Sequence, residues 1–193
     1  MGLPICLFAY GKLGLGVASA ISAVIIISHF TFGIFLARKK ISFKVLLEST
    51  AVYAVLIAVV FLYYNIQPPK FIENTAFLLA YSTIALILMS LGIALTKLKV
   101  FSFKNAIIST FARLILGPLV AMGLIYFFDL KGVPAGVLFI QCSMPSAILT
   151  YLVGSMYSSK KVVNNIASTI VMSTIVSFLT IPIIVFIALT YFF

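Results

Sequence analysis

Acidic residues are nearly missing from this sequence. Its 193 residues include only 3 Asp and Glu against 13 Lys and Arg, for a net charge of +10, and charged residues of both signs make up just 8%. A soluble domain carries about 25%. So few carboxylates disfavour a sodium site built from acidic side chains, although backbone carbonyls would serve instead. The two cysteines, Cys6 and Cys142, have no metal-ligand spacing and give no disulfide framework; they read as small, soft packing residues. The single histidine, His29, has no nucleophile motif of the G-x-S-x-G type beside it, so an intramembrane hydrolase is a weak reading and no catalytic residue is assigned. There is no Walker motif, which leaves ATP out as this chain's direct energy source. Neither a cofactor nor a metal is expected. No basic n-region or cleavage site marks a signal peptide; the chain enters an apolar stretch directly, as though cut from something longer.

Hydrophobic residues, by contrast, make up 64% of the sequence and come in long blocks rather than alternating with polar ones. Blocks of about 20 residues read as membrane-crossing helices. Residues 1–10 form a piece too short to span, "GKLG" (11–14) a turn, and full spans follow at 15–37, 45–66, 74–95, 105–127, 133–157 and 162–190. The fold expected is an all-α polytopic membrane protein in contact with the lipid bilayer. The basic residues cluster between spans, without an aromatic-interleaved basic surface, which excludes nucleic acid as the partner. Successive loops hold four, one, three, one and two lysines or arginines. The richer loops (38–44, 96–104, 158–161) are assigned to the cytoplasm, which places the C-terminus outside a bacterial-type cytoplasmic membrane.

With that orientation, two proline-bearing segments run in opposite directions. "GLPICLFAYGKLG" around Pro4 ends at an outside turn, and "SMPSAILTYLVGSMYSSKK" around Pro145 ends at an inside turn. Proline lacks the N–H of a helix rung and its ring clashes one turn back. In hydrocarbon the freed groups must be met by protein or water. A lone proline is commonly only a kink. Two in inverted copies match the discontinuous helices of many secondary transporters, whose half-helix ends meet anions near the midplane. The candidate substrate-binding residues are Pro4, Gln141, Ser143, Met144, Pro145, Ser146 and Thr150, joined by Arg113, Asn165 and Thr169.

Arg113 lies deep in its span, where a charge costs about 2.5–3.5 kcal/mol on insertion scales; anion attraction or gating competes with a structural tie to helix-end carbonyls. For His29, an interhelical hydrogen bond is favoured over a proton relay. Glu48 with Lys44 reads as a surface pair. Thr169, Ser173, Ser177 and Thr180 form a stripe read as helix packing, with Asn165 and Thr169 assigned to the path.

At "GLPICLFAYGKLGLG" (2–16), "ARLILGPLV" (112–120) and the long "QCSMPSAILTYLVGSMYSSKKVVNNIASTIVMSTIVSFLTIPIIV" (141–185), the sequence resembles the auxin efflux carrier family of membrane transporters. The resemblance implies ten helices in two inverted five-helix repeats, and a small organic anion as substrate: auxin in plants, malate or malonate in bacteria. It implies that residues 1–37 close the first repeat, 38–44 form a cytoplasmic loop and 45–193 supply the second repeat. The first four helices would then be absent, to be supplied in trans or by a homodimer, and a non-transporting scaffold or truncated remnant is the alternative. Where the family often has asparagine four residues after the crossover proline, this chain has Leu149.

Overall fold

The structure is a computed structural model that describes residues 2–29, 50–64, 66, 68–97 and 103–192. The 38–44 loop and the Lys44–Glu48 pair lie outside the described residues. Among the described residues the regular elements are all helices: α1 (Gly2–Ser28), α2 (Thr50–Tyr63), α3 (Lys70–Lys97), α4 (Phe103–Phe127), α5 (Val133–Cys142), α6 (Ile148–Tyr157) and α7 (Lys160–Tyr191). Helices are what an apolar chain must form in lipid, because each one satisfies its own backbone. By length and composition α4 and α7 are sufficient to cross a membrane, and so is the 27-residue run of α1 taken end to end, although it reverses at Gly11.

α1 is not one straight rod. At Gly11 the backbone takes φ 63, ψ −150, a left-handed conformation that glycine adopts without a Cβ penalty. The chain folds back there. A Cβ on Gly14 would strike the Cys6 carbonyl oxygen, and Gly2 and Ser22 both reach Gln141. The reversal falls at the first glycine of the expected "GKLG" turn, leaving a short arm over residues 2–10 and a returning arm after it.

The short arm lies antiparallel along α5. Gly2 sits against Gln141 at one end and Tyr10 against Gly136 at the other. The Tyr10 hydroxyl also donates to the Ala188 carbonyl of α7 at 2.8 Å, a buried bond that ties three elements together. Tyr10→Phe should therefore cost about 1 kcal/mol of stability, read as a lowered unfolding midpoint in detergent. An unchanged midpoint would show the hydroxyl to be redundant.

α4 and α7 pack extensively against each other, and α5 fits between them and α1. The buried positions are mostly small: Ala106 and Ala121 of α4, Ala135 and Gly136 of α5, Ala167, Ser173 and Ala188 of α7. Small residues allow close backbone approach, the main source of helix affinity where no water remains to be expelled. Large apolar side chains such as Phe111, Leu119, Phe178 and Phe186 face outward, as a lipid-facing surface requires.

The 133–157 crossing is broken. α5 and α6 have 10 residues each, about 15 Å apiece, so neither crosses alone. α5 ends at Cys142, the chain turns at Ser143, passes Pro145 outside any helix and is extended at Ala147 (φ −76, ψ 143), and α6 starts at Ile148. Proline disfavours helical backbone in the residue before it and offers no N–H of its own. The next N–H, of Ser146, donates to Ser173 Oγ of α7 at 3.2 Å. The freed backbone is thus met by protein.

Candidate functional site

A cavity of about 730 Å³ opens at this break. The α5–α6 connector forms one wall. Gly2 and Leu3 of the short arm of α1, then Ser22, Ile25 and His29 of the returning arm, form another. Thr83 and Leu86 of α3 and Arg113 of α4 close it.

Of the ten expected site residues, Arg113, Gln141, Met144, Pro145, Ser146 and Thr150 line this cavity. The other four do not. Pro4 is buried in the first turn of α1, where a missing N–H breaks no helical rung. Ser143 is fully buried, and its hydroxyl donates to the Phe139 carbonyl at 2.6 Å. Thr169 donates to the Asn165 carbonyl at 2.9 Å along α7, and neither residue reaches the cavity. The hydroxyls of Ser143 and Thr169 are used locally, which spacing alone does not show.

Among the lining residues Gln141 is a positioning group. Its Nε2 donates to the Ala18 carbonyl and to Ser22 Oγ, each at 3.2 Å, and so holds the returning arm of α1 against the end of α5. Both donors of the amide are then committed. Ser173, read from the sequence as part of a packing stripe, is the acceptor that fixes the connector.

The electrostatics of the cavity have one sign. None of the described residues lining it is acidic, and Arg113 contributes a cation. α6 begins at the cavity wall with Ala147 as its N-cap, which makes no side-chain capping bond. The first N–H groups of a helix have no partner within it and carry the positive end of the helix dipole. The remaining walls (Leu3, Ile25, Leu86, Ile148, Leu149) are apolar. No group of three or more metal-ligating side chains occurs among the described residues.

Sequence reasoning missed Thr83 and Ser22, and it left His29 out of the site. Only the charge of Arg113 and the His29 imidazole stand out in an apolar run; a threonine or serine in such a run gives no signal.

The profile of the family described as membrane transport protein matches residues 34–185, most of the chain. The sequence is 36% identical over 114 residues to an uncharacterized transporter of Methanocaldococcus jannaschii, covering 58% of this chain and 36% of that protein. It is 31% identical over 105 residues to an uncharacterized transporter of Methanothermobacter thermautotrophicus, covering 54% and 34%. The matched part thus spans about a third of the length of each relative. No solved structure matches. An apolar helical chain with a proline-broken crossing, matched by this profile over most of its length, belongs to the auxin efflux carrier family of membrane transport proteins.

Proposed function

We propose that this chain forms the substrate-binding half of a secondary carrier that moves a small organic anion by alternating access. The observation that carries the reading is the cavity at the α5–α6 break, with no acid among its described lining residues, where Arg113 and the uncapped start of α6 converge. A cation and a helix N-terminus in a low-dielectric pocket favour an anion, and the apolar walls suit an organic body. The short arm of α1 and the α5–α6 break play the parts of two crossing half-helices from inverted repeats, with the substrate between them. The carrier sits in the cytoplasmic membrane with the α4 and α7 starts, bearing Lys104, Lys160 and Lys161, on the inner side and the C-terminus outside.

The test is uptake of benzoate, indole-3-acetate and malonate into proteoliposomes containing the intact protein, with Pro145→Ala alongside. Alanine restores an N–H and lets α5 and α6 merge through the connector, which would close the cavity. Uptake should fall about tenfold or more with folded protein retained, since interior proline and alanine differ by about 3 kcal/mol in helix preference. Equal flux in the two proteins would remove the break from the mechanism. No uptake of any of the three by the wild type would remove the anion reading.

A further inference from the structure

His29 lines the same cavity, and its two ring nitrogens do different things. Nδ1 lies 3.0 Å from the Ile25 carbonyl oxygen, one turn back on α1. A carbonyl only accepts, so Nδ1 carries the hydrogen. In a neutral ring this leaves Nε2 as an acceptor. Nε2 lies 3.4 Å from Thr150 Oγ1, so the threonine hydroxyl donates to it. Thr150 is in the first turn of α6, the helix whose uncapped start faces the cavity. The tautomer is therefore fixed from the backbone side, and the nitrogen on the cavity side is the one left to take up a proton.

We propose that His29 is a proton-switched ligand for the transported anion: a proton taken up at Nε2 turns that nitrogen from acceptor to donor and gives the cavity a second cation, so that anion and proton bind together. The inference rests on the anion reading above and deepens it. The groups that face His29 leave it no competing carboxylate among the described residues. Around the shared cavity α1 itself offers Ser22, α3 Thr83, α5 Gln141 and α6 Thr150, none of them ionisable near neutral pH, and α4 offers the Arg113 cation; α2, which also packs on α1, carries no charged residue. Among the described residues none supplies a negative charge to pair with an imidazolium here, which leaves that part to the substrate. Histidine is the side chain whose charge ordinarily changes between about pH 5 and 8. By linkage, a proton that tightens anion binding is itself bound more tightly when the anion is present. The net step adds one proton and one anion to the cavity and breaks no covalent bond.

The test uses the intact protein in detergent with benzoate as probe, whose carboxylate stays ionised throughout, since such groups titrate near pH 4. Lowering the pH from about 8 to about 5.5 should tighten benzoate binding by about tenfold, within the usual range for coupled sites. His29→Gln should bind at the weak, high-pH level with no pH dependence. His29→Lys, which fixes the charge, should bind at the tight level throughout. Calorimetry in buffers of different ionisation enthalpy should show proton uptake on binding in the wild type and none in His29→Gln. The proposal is overturned by wild-type binding without proton uptake, a measurement that needs no variant to fold, or by a pH dependence that survives in His29→Gln. Either result leaves the anion reading in place so long as binding still requires Arg113. If benzoate, indole-3-acetate and malonate all fail to bind at any pH, both readings fall together.

Discussion

Arg113→Gln should weaken benzoate binding about tenfold to a hundredfold, with the protein still folded. Hydrogen bonds to charged groups are worth about 1.5–3 kcal/mol, and each 1.4 kcal/mol is about a factor of ten in affinity. Arg113 is exposed within the helical assembly and lines the cavity rather than filling a packed interface. No described lining residue supplies a carboxylate to neutralise it. Its charge is therefore available to a ligand. Glutamine is shorter, keeps some hydrogen-bonding capacity and removes the charge. Arg113→Lys should recover only part of the affinity, because an ammonium keeps the charge without the two-pronged geometry that fits a carboxylate. Direct binding titrations beside a thermal unfolding curve separate the two roles weighed from the sequence. If Arg113→Gln binds normally but unfolds early, the residue is a structural tie.

The second large effect is on stability. Gly117→Ala should destabilise the protein by about 1–3 kcal/mol, the usual cost of overpacking. A Cβ at Gly117 would run into the carbonyl group of Cys142, which is backbone at the end of α5 and cannot rotate away. α4 would have to move off α5 where the crossing breaks, so cavity geometry should suffer with stability. Gly123, further along the same helix, provides the control: a Cβ there meets nothing within 4 Å. Gly123→Ala should be neutral or stabilising, because alanine is favoured over glycine in a helix by about 1 kcal/mol. Denaturation of both variants in the same detergent decides it. Equal unfolding midpoints would mean that the α4–α5 contact does not need glycine.

Much of the architecture is legible in the residues themselves. The apolar blocks give α4 and α7 nearly to their ends, since a chain in lipid has few alternatives to helix. Pro145 gives the break, because proline cannot supply the missing rung. "GKLG" gives the reversal at Gly11, where a left-handed backbone favours glycine. Arg113 stands out because a charge inside an apolar run is costly enough to need a purpose.

The composition of the site is different. That Ser173 receives the Ser146 N–H, that Gln141 spends its donors on α1, and that His29 meets Thr150 are facts about residues 27 to 123 positions apart. They depend on which faces of neighbouring helices meet. In water, an amphipathic stripe reveals that face. In a bilayer, lipid-facing and protein-facing sides are both apolar, so the pattern that marks each helix leaves its rotation undetermined. Asn165 and Thr169 lie at helical spacing and still do not reach the cavity, while Thr83 does and its neighbour Ser82 does not. Chain chemistry determined the helices and where they break; only the packing of those helices decided which side chains share the cavity.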